Sequence, residues 1–517
     1  MYKNLFFLFL LVLTCFSAFS QQSYRVYLRD KGEQSFNPYT FFDQKAIERR
    51  IREEIPIYDY TDIPVYQPYF NSIQSIADSV GITSRWFNFV KVYISTNQQL
   101  EQLKSLAFVA YLEESLPVQT ILCEIDNESN DDEILLNQTK RMGAEYFEKN
   151  NIDGTGIRIA IFDGGFPDVN THPAFEHIRS SGRLIKTFDF TKKKENVYYS
   201  SSHGRQTFAC VGGFYENKKI GLATGAEYLL AKTEINSEPF KEEEWWLAAA
   251  EWADQNGADI INSSLGYGYQ RYFTSDMDGK TSLVVKAASM AVKKGILVVN
   301  SAGNEADAKW QGIITPADGD SVLAVGGIDP SSDYHISFSS YGPTADKRLK
   351  PNVCAYGSVT TASSDGLGNA QGTSFSSPLV AGFAACAWQT NPNLKVMELF
   401  REIEKSGHLY PYFDYAHGYG VPQAAYFTNN IGEIVETFEI IDSSDIYYVR
   451  IKPARFNNTD WLQDMNLLYY HHSEKNGVIT YSEIIKVNEL IPFSFPAYSE
   501  GHEVRIHFRG YTKIIKF

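Results

Sequence analysis

Residues 371–388 read QGTSFSSPLVAGFAACAW. Glycine and hydroxyl residues lead into an apolar run of small side chains, a pattern that predicts a loop turning into a buried helix at Ser374. Serine and threonine are ordinary helix caps. A helix start also gathers unpaired backbone N–H groups and the positive end of the helix dipole, which suits a reactive hydroxyl. Pro378 is expected within the first turn, where its missing N–H costs little. The residues at equivalent places elsewhere in the chain decide between cap and nucleophile.

Working outward, strand-like runs IRIAIFD (157–163), YLLAKTE (228–234), DIINSSLG (259–266), ILVVNSAGN (296–304) and VLAVGGID (322–329) alternate with helical patterns such as EEEWWLAAAEWADQNG (242–257) and SLVVKAASMAVKKG (282–295). This alternation predicts an α/β domain over 138–428, a parallel sheet with helices on both faces joined by right-handed crossovers. Functional groups of such sheets gather at the carboxyl ends of the strands. Those ends offer Asp163, then His203 in SSHG (201–204), Asn304 in SAGN (301–304) and Ser374. An acid, an imidazole, an amide donor and a hydroxyl are what acyl transfer by an activated serine requires. Each has a bland reading as a turn residue, a structural histidine or a cap. His417, in AHGYG, also precedes a glycine but follows the serine. The order Asp, His, Ser occurs in one known serine-hydrolase architecture.

On these residues the sequence resembles the subtilisin-like serine proteases over roughly 140–428. GTSFSSP (372–378) matches the nucleophile motif, SSHG the histidine motif and SAGN the oxyanion segment, while FSSYGP (338–343) and KPNVCAYG (350–357) match framework segments. The resemblance implies that Ser374 attacks the scissile carbonyl, His203 carries its proton and Asp163 orients His203. It implies that Asn304 and the Ser374 N–H hold the oxyanion. INSSLG (261–266) implies Ser264, Leu265 and Gly266 along the substrate backbone and primary pocket, with Trp310 placed near that pocket. Two positions depart from the family pattern: Gly164 lacks the usual hydroxyl after the aspartate, and Arg205 replaces a threonine after the histidine. A cation close to the imidazole disfavours imidazolium. The alternative is therefore the same fold as a catalytically inactive peptide-binding or surface protein.

Composition frames the rest. A net charge of −15 argues against nucleic acid as the main partner, and 44% hydrophobic residues in 517 supply cores for two or three domains. Residues 1–20 read as a signal peptide, with Lys3 ahead of a short apolar run, and predict a secreted protein without a transmembrane anchor. Residues 21–125 mix short strands and helices as a small α+β domain. The resemblance makes this domain an inhibitory prodomain, so the expected partners are peptide or protein substrates and the chain's own prodomain. The acidic stretch from Leu116 to Asn137 reads as an exposed linker and processing site. Residues 432–517 are strand-rich and predict an antiparallel β-sandwich-like domain. Cys123, Cys210, Cys354 and Cys386 show no paired spacing and read as buried thiols. Asp276 and Asp278, in SDMDGK, and the acidic run Glu242–Glu244 read as a solvated loop and a helix start, so no metal or other cofactor is expected.

Overall fold

The computed structural model describes residues 21–115, 132–235, 241–268, 271–430, 432, 434–443, 445–452, 466–487 and 493–517. The signal-peptide reading and Cys123 therefore lie outside the described residues. The chain forms two compact units, Met1–Ser35 with Tyr60–Leu116, and Phe36–Asp59 with Pro117–Phe517.

In the first unit, strands Ser79–Ser84, Phe89–Ile94, Gln22–Leu28 and Val109–Glu114 pair in that order, all antiparallel. Alternating side chains of Gln22–Leu28 point inward, so Val26 joins Val90, Val92 and Ile94 in a core closed by Ile73 and Leu103. Ile73 and Leu103 come from the helices Gln67–Ile76 and Asn97–Ser105. The second of these starts at a reciprocal Thr96–Gln99 capping box.

The second unit is built on a seven-stranded sheet. Its order is Val353–Tyr356, Leu323–Ile328, Leu297–Ser301, Ile260–Ser263, Arg158–Asp163, Glu227–Lys232 and Leu184–Asp189. Every neighbouring pair is parallel. The strand Arg158–Asp163, fifth in that order, is buried along its whole length, as expected when helices cover both faces. From it the chain fills one side of the sheet, then crosses to the other at Ile260–Ser263. That reversal opens a crevice at the carboxyl ends of the two strands.

The helix His203–Gly212 and the long helix Thr373–Thr390 touch closely. A Cβ on Gly382 would lie 2.5 Å from the Val211 carbonyl oxygen, so only glycine fits. Pro378 is not in the first turn but inside the helix, since Thr373 opens it. Its missing N–H leaves the Ser374 carbonyl without a helical donor four residues on.

Two further features differ from the sequence reading. Asp132–Lys140 is helical, and Gln138 is buried by bonds to the Ile220 and Thr360 carbonyls. The linker expected to reach Asn137 therefore ends before Asp132. Residues 36–59, expected within the N-terminal domain, cluster with the second unit. At the C-terminus a three-stranded and a four-stranded antiparallel sheet share a core of Phe438, Val449, Phe495, Tyr470, Ile506 and Phe508. Cys210, Cys354 and Cys386 are buried free thiols, and burial pushes the Cys210 thiol up to about 12.

Candidate active site

Asp163 closes the strand Arg158–Asp163 and its side chain is buried. The Gly164 N–H donates to Oδ1 at 2.7 Å, and the Thr207 hydroxyl donates to Oδ2 at 3.0 Å. The His203 Nδ1 lies 2.9 Å and 3.0 Å from the two carboxylate oxygens. A carboxylate on Nδ1 fixes that nitrogen as the N–H and leaves Nε2 as the basic nitrogen. The approach depends on Gly204, where a Cβ would sit 2.1 Å from the Gly165 carbonyl oxygen and 2.9 Å from Asp163 Cβ.

The imidazole also meets the other helix. Its ring centroid is 5.5 Å from that of Phe375, the residue after Ser374. Together with the Val211–Gly382 contact, eight residues past His203 and seven past Phe375, this sets the two helices side by side and pointing the same way. Both N-termini thus open at one place. Gly372 precedes the serine helix with φ 145° and ψ 154°, a conformation open essentially to glycine alone. The Ser374 hydroxyl donates to the Ser264 carbonyl at 3.1 Å.

Asn304 follows the strand Leu297–Ser301 and is exposed. Its Oδ1 accepts from the Thr373 N–H and the Thr373 hydroxyl, both at 2.9 Å. A backbone N–H can only donate, so these bonds identify the oxygen and turn the amide NH₂ toward Gly372, 3.3 Å from where its Cβ would be. Ser264 is buried, and the Leu265 carbonyl accepts from Asn300 Nδ2 at 2.9 Å. Gly266 packs against Ile314, whose Cδ1 would lie 2.3 Å from a Cβ there. Gly303 meets the same side chain at 2.9 Å. Ile314 clusters in turn with Trp310 and Met277.

Arg205 points away from this center. Its Nη1 pairs with Asp168 at 2.9 Å and its Nε donates to the Ala362 carbonyl at 3.3 Å. Burial, then the Arg205 charge, hold His172 below the ordinary imidazole range. The run Glu242–Glu244 lies in the first turn of the helix Lys241–Gln255, as read, and is buried. Glu242 pairs with Arg271 at 2.7 Å and accepts from the Ile235 N–H, while Glu243 receives the Tyr272 hydroxyl. Asp278 caps its own loop through Lys280 and Thr281. Among the described residues no group of three or more His, Cys, Asp or Glu converges as a metal site. Thr207 is the site residue that sequence reading missed. Its signal was its spacing, four residues past His203 and so on the same helix face.

The family model described as the subtilase family matches residues 154–420, more than half of the chain. The chain belongs to the subtilase family. A second model, the peptidase S8 propeptide domain of Bacteroidota, matches residues 23–131. Subtilisin DY of Bacillus licheniformis is 36% identical over 265 residues, covering 51% of this chain and 88% of its own. Subtilisin E of Bacillus subtilis (strain 168) is 27% identical over 357 residues, 68% of this chain and 84% of its own. The crystal structure of fervidolysin from Fervidobacterium pennivorans, a keratinolytic enzyme related to subtilisin, aligns with a TM-score of 0.54 at 17% identity, covering 94% of this chain and 71% of that one. This subtilase is a serine-type endopeptidase carrying a propeptide domain.

Proposed function

We propose that this subtilase is an exported endopeptidase that cuts peptide bonds with Asp163, His203 and Ser374, and that it matures by cutting its own chain within residues 116–131. The observation that carries the reading is the His203 imidazole, held by Asp163 through Nδ1 and lying against the residue after Ser374. Export rests on the signal-peptide pattern of residues 1–20.

The Ser374 hydroxyl leaves the Ser264 carbonyl, gives its proton to His203 Nε2 and attacks the scissile carbonyl carbon. Asp163 stabilises the imidazolium that forms. The carbonyl oxygen gains charge, and the Asn304 NH₂ and the Ser374 N–H donate to it, aided by the helix dipole. Imidazolium returns the proton to the leaving amine as the tetrahedral intermediate collapses to an acyl-enzyme. Water, deprotonated by His203, then repeats the sequence and frees Ser374. Ser264, Leu265 and Gly266 offer backbone groups on which an extended peptide lies as an added strand.

Intact-mass analysis after treatment with a serine-directed phosphonate tests the reading. A single adduct on Ser374 with loss of peptide hydrolysis is expected. A protein that takes no adduct and cleaves nothing in a broad peptide library is an inactive binder instead.

A further inference from the structure

We infer that Ser340 is a positioning residue for the oxyanion donor. It grips the two peptide groups on either side of the Asn304 Cα and so sets the direction in which the Asn304 side chain leaves the backbone. The inference deepens the functional reading and rests on it, since the oxyanion role of Asn304 comes from there.

Two torsions decide where a side chain points. For Asn304, φ moves the planar peptide group shared with Gly303 and ψ the one shared with Glu305. Fixing both planes therefore fixes the Cα–Cβ bond between them. The Ser340 N–H donates at 2.9 Å to the Gly303 carbonyl, which belongs to the first plane. The Glu305 N–H, which belongs to the second, donates to the Ser340 hydroxyl oxygen at 3.2 Å. One residue holds one plane with its backbone and the other with its side chain. Ser340 is fully buried, where an unmade hydrogen bond is costly. The approach is close: a Cβ on Gly303, at φ 114°, would lie 2.7 Å from the Ser340 Oγ. Only glycine there lets the hydroxyl in beside Asn304.

A grip needs an anchor. Ser340 belongs to a short segment, residues 338–341, that runs along the loop 303–313. The Phe338 carbonyl accepts from the Ala306 N–H at 3.1 Å, the Tyr341 N–H donates to the Gln311 carbonyl at 2.9 Å, and the Ile313 N–H donates to the Tyr341 carbonyl at 3.2 Å. Ser339 ties the segment to the sheet, because its hydroxyl oxygen accepts from the Gly327 N–H at 2.9 Å. Gly327 lies in the strand Leu323–Ile328, next to the strand Leu297–Ser301 from which the Asn304 loop emerges. His335 Nε2 donates to the Ser339 carbonyl at 2.7 Å, and the His335 ring stacks on Tyr341 with centroids 4.0 Å apart. The framework motif FSSYGP thus carries rigidity from the sheet to the oxyanion loop.

Asn304 is then fixed at its root by Ser340 and at its tip by Thr373, which holds Oδ1. Thr373 selects which end of the amide faces the site, and Ser340 selects where that end stands. A misplaced donor serves the oxyanion poorly while substrate still binds along Ser264 to Gly266. The loss is bounded by what the donor supplies, about 10²–10³ in kcat.

The test compares kcat and KM of Ser340→Ala, Asn304→Leu and the double variant. Each is made as the full chain and counted by the share of Ser374 that a serine-directed phosphonate labels after long incubation. Where self-cutting is slow, an added protease cuts at a recognition sequence inserted between residues 124 and 125. Ser340→Ala alone should lower kcat by about tenfold, with KM within about twofold. In the Asn304→Leu background the same change should lower kcat by less than about twofold, because no donor is left to place. An unchanged kcat in Ser340→Ala overturns the proposal. A fall of equal size in both backgrounds makes Ser340 a packing residue and overturns it too. If Asn304→Leu itself keeps full kcat, the oxyanion reading fails and the positioning role falls with it. If Ser340→Ala yields no folded protein, Ser340→Cys, which keeps an atom in place but accepts only weakly, is judged by the same two comparisons.

Discussion

The Thr207 hydroxyl donates to the same Asp163 carboxylate that receives His203, from one helical turn further along the same helix. Thr207 touches no substrate, so it acts as a positioning residue that fixes the carboxylate plane and through it the ring. Thr207→Val keeps the shape and removes the donor. It should lower kcat by about tenfold, near 1.4 kcal/mol, with KM unchanged, and Thr207→Ser should restore most of the loss. Equal activity in all three proteins would make the hydroxyl a packing group only.

In the proposed mechanism Asn304 donates to charge that exists only in the transition state. Asn304→Leu should reduce kcat by about 10²–10³, the size of effect found when a subtilisin loses its oxyanion donor, while KM stays near its starting value. The Thr373 N–H also loses its acceptor, so a melting curve should accompany the kinetics. A variant with mainly raised KM contradicts the assignment.

Ile314 occupies the space between Gly266 and Gly303, where a primary side-chain pocket would open. The enzyme should therefore prefer peptides with alanine, glycine or serine on the acyl side of the cut bond. Ile314→Ala should raise kcat/KM for phenylalanine or leucine there relative to alanine by at least about tenfold, since one or two methylene groups are worth 1–3 kcal/mol in such pockets. An unchanged preference in the variant would mean that the side chain binds elsewhere.

Arg205 is the departure from the family pattern with the clearest structural consequence. Its guanidinium is committed to Asp168 and the Ala362 carbonyl. Arg205→Thr should lower Tm by a few degrees through lost packing and an unmet carbonyl. The acid limb of kcat/KM should not move. A limb displaced upward by half a pH unit or more would show that the cation acts on His203 after all.

Acid should loosen the C-terminal sandwich. Burial holds His471 at about 4 and His507 at about 3, against an ordinary value of 6.5. His471 and His507 both lie against Tyr412. The unfolded chain takes up these protons first, so stability is present above about pH 6.5 and lost as pH falls toward 4. The urea midpoint should fall between pH 7 and pH 4.5, and fall less in His507→Gln. Identical midpoints at the two pH values would refute this account.

Much of the sheet was legible because buried parallel strands are continuous apolar runs, and Arg158–Asp163 could hardly be read otherwise. Asp163 ends such a run and Asn304 follows one, whereas His203 and Ser374 stand at helix starts and were singled out by the short motifs around them. Residues 36–59 were not legible. A helix rich in arginine looks solvent-facing in sequence, and only its partners, about 200 residues away, make Arg49 and Arg50 interior. Glu242–Glu244 begin a helix as read, but their burial was hidden for the same reason, since Arg271 and Tyr272 lie beyond a helix and a strand. Pro378 was misplaced by one turn because Thr373, not a later residue, opens the helix.

The serine helix is also the last piece of the center to be synthesised. Asp163, His203 and Asn304 all precede the strand Val353–Tyr356, and Ser374 follows it. Helix 373–390 is buried almost throughout and has no place to pack until the sheet exists. Contacts across such long stretches of chain form slowly. With the roles proposed above, a growing chain would carry its acid, base and amide long before its nucleophile is seated, and time itself would keep it from cutting before folding is finished.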